Sequence, residues 1–352
     1  MPIIIANEPA DFSIHHLDTV KRGKVLAMGS KGRWNPPEDT RPSFKGRNVI
    51  VTGSNSGVGF EAALKFVQLN ADLVILAVRS IKKGGAAKAQ IEAATGRQGC
   101  VQVWQLDMMS YDSITAFATR ASQDLKHLDI AVLNAGIQPS QHALSPYGWE
   151  TALQCNTLST MLLSLLLLPK LQSSKTDSYT PVLELVSSSN HYMVSKVDSD
   201  PSSKQSLLEY NNNFSSFQGY GLSKLFLMYG LAGLVQQESK GAKGPPKVFI
   251  TSVCPGGTQS GIMRSYPWYT KPFFWVINHF VNKTTEQGAR TYISGVTTGQ
   301  EGHGRFWRDD VIEEPAPMLK GEQGAKLQKQ VWAEMVDALK KDVPEVQHLV
   351  KA

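Results

Sequence analysis

Three cysteines in 352 residues are too few and too scattered to staple a small domain. Cys100, Cys155 and Cys254 are odd in number and show neither a disulfide framework nor metal-ligand spacing, which fits a reducing compartment and a cytoplasmic location. Eight histidines occur without an HxxEH or HExxH cluster, so no metal site is expected. Long apolar runs are also lacking. Ile3-Ile4-Ile5 is too short for a signal peptide, and no positive segment precedes it. Met161 to Leu168, interrupted only by Ser164 and closed by Pro169-Lys170, falls short of the ~20 residues a membrane span needs and reads as a buried helix. Charge of one sign is scarce as well. The balance of 36 basic and 30 acidic residues gives +6, spread along the chain, so no nucleic-acid partner is expected. What remains is an ordinary globular composition, 41% hydrophobic and 19% charged, sufficient for one large α/β domain or two smaller ones.

Residues 1–44 read as an N-terminal extension, 45–320 as the α/β domain and 321–352 as a C-terminal helical segment. In that last segment Leu327, Val331, Met335 and Leu339 recur at helical spacing. Within the domain, strands and helices alternate. Strands are expected at Asn48–Val51, Leu73–Ala77, Val101–Leu106, Leu128–Leu133, Pro181–Val186 and Lys247–Val253. Helices are expected at Phe60–Leu69, Ala86–Ala94, Ile114–Asp124 and Trp149–Leu168, and around Tyr220. Such repetition predicts a doubly wound parallel sheet covered on both faces. Two stretches break the rhythm. Residues 190–219 are polar and irregular, a functional or mobile insertion. Residues 261–282 are dense in aromatics and could serve as a substrate lid, as packing surface or as a shallow membrane contact.

The motifs follow the strands. Thr52-Gly53-Ser54-Asn55-Ser56-Gly57-Val58-Gly59 joins the first strand to its helix. Glycines there allow a tight turn and a close approach of backbone to a pyrophosphate, which the helix N-terminus attracts. The second strand ends at Arg79, where an NAD-binding chain would usually place an acid. An arginine suits a 2′-phosphate through charge-assisted bonds, so NADP(H) is the favoured cofactor. Asp107 could meet an adenine ring or cap the following helix. Asn134-Ala135-Gly136 puts small residues at the end of the fourth strand. Tyr220 and Lys224 lie one helical turn apart, so an ammonium could lower the phenol pKa from about 10 toward the range a general acid/base needs. A hydroxyl-rich Ser187-Ser188-Ser189 ends the fifth strand, and Pro255-Gly256 follows the sixth.

In this order and context, the turn at Thr52–Gly59, Asn134–Gly136, Tyr220–Lys224 and Pro255-Gly256 resemble the short-chain dehydrogenase/reductases over residues 45–310, with a retinol-dehydrogenase-like and fungal flavour. The resemblance implies a Rossmann fold and a catalytic quartet of Asn156, Ser188, Tyr220 and Lys224, with Ser187 or Ser189 as the register alternatives for the serine. Tyr220 is then the acid/base. Lys224 lowers its pKa and holds the nicotinamide ribose, Asn156 holds a water leading to the lysine, and Ser188 bonds the substrate oxygen. Cofactor contacts are implied for Gly53, Asn55, Ser56, Gly57, Val58, Gly59, Arg79, Asp107, Asn134, Ala135, Gly136, Tyr220, Lys224, Pro255, Gly256 and Ser260. The implied activity is NADP-dependent hydride transfer to or from a carbonyl or secondary alcohol on a hydrophobic small molecule, with ketone reduction in fungal secondary metabolism favoured. Family members tend to be homodimers or homotetramers. The alternatives are a membrane-associated retinoid or sterol dehydrogenase and a non-redox cyclase or isomerase.

Overall fold

The computed structural model describes residues 33–194, 208, 216–240, 244–259, 261–263 and 266–350. Six parallel strands, β1 (Asn48–Thr52), β2 (Leu73–Val78), β3 (Val101–Gln105), β4 (Ile130–Leu133), β5 (Val182–Val186) and β6 (Phe249–Cys254), alternate with helices. The sheet order is β3-β2-β1-β4-β5-β6-β7-β8, where β7 (Phe306–Arg308) joins in parallel and β8 (Val311–Glu313) closes the edge antiparallel. The doubly wound α/β fold expected from the alternation is therefore present. The order reverses beside β1, between β2 and β4, which opens a crevice at the carboxyl ends of the strands.

The strands read as unbroken apolar runs because both faces are covered. Neighbouring residues of one strand enter different cores. Val49 and Val51 pack with α1 (Gly57–Gln68), α2 (Ile81–Thr95) and α7 (Thr285–Gly295), while Ile50 joins the opposite core. That second core contains α3 (Tyr111–Asp124), α4 (Thr151–Ser173), α5 (Ser216–Ser239) and α8 (Gly321–Asp342). Ser80 and Ser110 cap α2 and α3 through the N–H groups of Lys83 and Ser113, so both helices start earlier than their apolar pattern suggests.

Among the described residues one helix, α4, is long and apolar enough to cross a membrane, but 89% of its apolar window is buried inside the protein. Its expected stop at Pro169 is not a stop. The helix continues to Ser173, and Leu171 beyond the proline is fully buried. The C-terminal helix α8 lays its Leu327, Val331, Met335 and Leu339 stripe into the core beside α5. Two glycines of α5 permit that close packing. A Cβ on Gly230 would stand 2.5 Å from the Met161 sulfur of α4, and one on Gly233 would stand 2.1 Å from the Trp332 ring of α8. The short helix α9 (Val346–Leu349) packs against α4.

β7, β8, α7 and α6 (Lys271–Phe280), within the aromatic stretch, were not expected as elements. The β7–β8 turn is made by Asp309 and Asp310 at φ +52° and +65°. Paired positive φ values are those of a two-residue type I′ hairpin, which is normally signalled by Asn-Gly or Asp-Gly.

Candidate active site

A cleft of about 910 Å³ lies at the carboxyl ends of β1, β2, β4, β5 and β6, lined by Gly53, Arg79, Asn134, Ser188, Tyr220, Lys224 and Pro255 among others. Its nucleotide end is formed by the β1–α1 turn. Gly53 and Gly57 adopt φ +66° and +64°, a region glycine enters without Cβ strain. Gly59 serves a different need. A Cβ there would stand 2.4 Å from Asn134 Nδ2 and 2.9 Å from the Gly53 carbonyl, so only glycine lets α1 begin this close to β4. Asn55, Ser56 and Val58 complete the lining of the turn.

Arg79 borders the cleft, joined there by Ser80 and Lys83 from the first turn of α2. Asp107 also borders it. Asp107 Oδ1 accepts the Met109 N–H at 3.0 Å, and the cap of α3 belongs to Ser110. Asn134 reaches the cleft, yet both ends of its carboxamide serve the scaffold. Nδ2 donates to the Thr52 carbonyl at 2.8 Å, and Oδ1 accepts from the Tyr292 hydroxyl at 2.9 Å. Ala135 N–H donates to Thr52 Oγ1 at 2.8 Å, fastening the Asn-Ala-Gly corner to β1. Gly136, Pro255 and Gly256 line the opposite stretch, and Ser260 lies outside the described residues.

The four residues of the implied quartet converge from three elements. Asn156 sits in a π-helical turn, Gln154–Leu158, inside α4. Such bulges re-aim side chains and recur at functional sites. Asn156 Oδ1 accepts the Ile137 N–H at 2.8 Å, and Nδ2 donates to the Ile137 carbonyl at 2.9 Å and to Ser223 Oγ at 3.1 Å. Ser223 Oγ in turn donates to the Tyr220 carbonyl at 2.8 Å, and Thr157 Oγ1 donates to the Ser223 carbonyl at 2.7 Å. The π turn therefore fixes the helix that carries Tyr220. Lys224 Nζ donates to the Val186 carbonyl at 2.8 Å, and a Cβ on Gly136 would come within 3.8 Å of that ammonium.

Among the three serines, Ser188 lines the cleft with Tyr220 and is the one whose side chain acts on the Tyr220 phenol, pulling its pKa down. Its Oγ also accepts the Asn190 N–H at 3.2 Å. Ser187 Oγ is buried with no partner among the described residues, and Ser189 N–H donates to Cys254 Sγ at 3.3 Å.

Electrostatically the site departs from the expected acidified phenol. Burial pushes the Tyr220 phenol up to about 12, with the Ser188 hydrogen bond pulling the other way. Burial likewise lowers the Lys224 ammonium to about 8. Desolvation dominates because both side chains are buried, and Lys224 Nζ stands 5.9 Å from the centre of the Tyr220 ring with its bond aimed at Val186.

The aromatic stretch, read as a lid, a packing surface or a membrane contact, divides in two. Ile262 and Met263 line the cleft, whereas Trp268, Tyr269, Trp275 and Phe280 are 78%, 67%, 62% and 57% exposed. The base of this aromatic stretch is pinned. Lys283 N–H donates to the Gly257 carbonyl and Gln259 N–H to the Lys283 carbonyl, each at 2.9 Å, and the buried Lys283 ammonium pairs with Asp309 at 2.6 Å. Gln138 Nε2 donates to the Tyr266 hydroxyl at 3.3 Å, tying the aromatic stretch to the β4 corner. Thr52, the Val186 carbonyl, Cys254 and His191 all support the site and were not singled out from the sequence. Only Thr52, inside the glycine motif, carried a local signal.

A sequence model of the family described as short chain dehydrogenase matches residues 47–210. Among curated proteins, the short-chain dehydrogenase/reductase ffsI of Aspergillus flavipes is 37% identical over 90% of this chain and 92% of its own length. The short-chain dehydrogenase/reductase phmF of Phaeosphaeria nodorum is 37% identical over 90% of this chain and 93% of its own. Among solved structures, an uncharacterised protein from Mycobacterium paratuberculosis shares the fold at TM-score 0.62 and 22% identity, covering 85% of this chain and 95% of that one. A short chain dehydrogenase from Shigella flexneri, complexed with NADP, matches at TM-score 0.51 and 23% identity, covering 70% of this chain and 89% of that one.

Proposed function

The chain belongs to the short-chain dehydrogenase/reductase family, and we propose that it is an NADPH-dependent reductase of a ketone on a hydrophobic small molecule. The observation that carries this reading is the meeting of Ser188, Tyr220 and Lys224 in one cleft that the glycine turn also lines. NADP(H), when bound, supplies the hydride at its nicotinamide C4. The residues present fit it. The turn at Gly53–Gly59 and the N-terminus of α1 form an anion cradle, and Arg79 with Lys83 offers two cations to a 2′-phosphate. Asp107 is assigned to the adenine end, and Ala135, Gly136, Pro255 and Gly256 to the nicotinamide end, together with Ser260 by resemblance. The NADP complex of the Shigella flexneri protein supports the choice of cofactor.

Ser188 bonds the substrate carbonyl oxygen and steadies the negative charge that develops on it. Tyr220 donates the proton to that oxygen. With its phenol pushed up to about 12, Tyr220 stays protonated at neutral pH, which suits an acid in the reducing direction. Lys224 holds the ribose and faces the tyrosine, and Asn156 holds the water that links to it. The fungal source of the curated relatives supports a place in fungal secondary metabolism, and a cytoplasmic location is part of the proposal. Any homodimer or homotetramer would use a face other than the α4/α5 side that α8 and α9 pack against. The test follows NADPH absorbance across a panel of ketones and alcohols. Consumption with ketones is expected. Tight NADPH binding with no absorbance change across the panel would favour a cyclase, isomerase or binding role.

A second reading has its own observation. The outward-facing Trp268, Tyr269, Trp275 and Phe280 favour shallow insertion into a lipid surface, as in a membrane-associated retinoid or sterol dehydrogenase. Sedimentation with liposomes, abolished by replacing Trp268 and Trp275, would support it.

A further inference from the structure

We infer that His191 is the positioning residue for Ser188, clamping the serine turn so that the serine hydroxyl meets Tyr220. The inference rests on the role proposed above for Ser188. His191 is fully buried in the single 3-10 turn Ser189–Met193 that follows the serine. Its Nδ1 stands 2.6 Å from the Ser188 carbonyl. A carbonyl only accepts, so Nδ1 carries the proton and Nε2 is left as a bare acceptor. The backbone N–H of His191 reaches the same carbonyl at 3.2 Å, while upstream the Ser187 N–H donates to the Val253 carbonyl at 2.8 Å. The Ser188 peptide is thus held on both sides, leaving its hydroxyl to accept from Asn190 and meet Tyr220.

The ring is braced in turn. It lies 4.2 Å from the Tyr192 ring and 4.9 Å, edge-on, from Phe306 of β7. The Tyr192 hydroxyl donates to the Glu314 carbonyl and, at 3.4 Å, to the Glu313 carboxylate at the end of β8. The edge hairpin therefore buttresses the serine. Space filling alone does not account for a histidine here. Nε2 is buried and has no partner among the described residues, an unfavourable state that an aliphatic side chain would avoid. Burial drives the imidazole down to about 4, so the ring is neutral at working pH and acts through geometry rather than by moving protons.

The experiment compares His191→Asn, His191→Gln, His191→Leu and Ser188→Ala, with NADPH and phenanthrenequinone as the probe pair. Asparagine places an N–H near the Nδ1 position, glutamine carries the same amide one methylene too far, and leucine removes it. His191→Leu and His191→Gln are expected to lower kcat by about 10²-fold, the effect of misplacing a reacting group by about 1 Å. KM and NADPH affinity should hold, and His191→Asn should recover most of the rate. If leucine fails to fold, the asparagine–glutamine pair still decides. A wild-type kcat in His191→Leu or His191→Gln, while Ser188→Ala loses its rate, overturns the inference. So does a joint loss of kcat and NADPH affinity in all three His191 variants, which marks a purely structural residue. Full kcat in Ser188→Ala would remove the role of Ser188 itself, and the inference with it.

Discussion

At the nucleotide end of the cleft the wall is a continuous run of backbone, Gly53 to Gly59, shaped by glycines that sit at positive φ or where a Cβ would collide. At the catalytic end the wall is made of side chains from α4, the turn after β5 and α5, held by partners distant in sequence. Asn156 is tied to Ile137 and Ser223, Lys224 to Val186, and Ser188 to a turn that leans on β7 and β8. The first wall takes its shape mainly from its own glycines, with the Asn134-Ala135 corner of β4 packed against it. The second depends on packing well outside the cleft, so it can be weakened from a distance.

Substitutions can break that contrast in order of size. Lys224→Met should cost about 10³-fold in kcat, within the span of general acid–base effects, while NADPH binding persists through the glycine turn. In the native protein the ammonium is lost as pH rises through about 8, so kcat for reduction should fall above that pH, well before Tyr220 ionises near 12. A flat pH–rate profile between those values would remove Lys224⁺ from the mechanism. Arg79→Ala should lower the preference for NADPH over NADH by about 10²-fold, the worth of lost charge-assisted bonds, with kcat on NADPH nearly unchanged. An unaltered ratio would move the 2′-phosphate contact elsewhere.

Gly59→Ala should weaken NADPH binding by about tenfold, since overpacking of this kind costs roughly 1–3 kcal/mol. Titration of cofactor fluorescence measures it, and a catalytic defect without a binding defect would contradict the local character of that wall. The smallest effect lies under the sheet. Glu184 on β5 is fully buried with no partner for either carboxylate oxygen among the described residues, and burial raises its pKa well above the usual 4.5. The folded state then binds a proton that the unfolded state releases above about 4.5, so this group's contribution falls as pH rises. Glu184→Gln should flatten the loss of Tm with rising pH and raise Tm at pH 8 by a few degrees, at roughly 2 °C per kcal/mol. An identical pH dependence in both proteins would count against it.

The same contrast explains what could be read from the chain. The glycine turn and Arg79 were legible because their chemistry lies within a few consecutive residues. Tyr220 and Lys224 share one helix face and were legible as a pair. Burial, a tertiary property, reversed the expected direction of the Tyr220 shift. Among three adjacent serines the family resemblance selected Ser188, but the residues alone left Ser187 and Ser189 as register alternatives, since the choice is set by a turn braced from β7 and β8. Those strands are three residues each, too short to show alternation. The π turn around Asn156 left no mark because one extra residue in an apolar helix does not disturb its composition. The lid aromatics were visible, but the outward aim of Trp268 and Trp275 was not.

The most direct test is a single-turnover experiment on Tyr220→Phe with excess enzyme, NADPH and a ketone that the native protein reduces. The expected result is unchanged NADPH affinity with the rate of absorbance loss reduced by about 10³-fold, the proton donor being gone while the nucleotide wall stays intact. NADPH oxidation at the native rate in Tyr220→Phe would contradict Tyr220 as the acid.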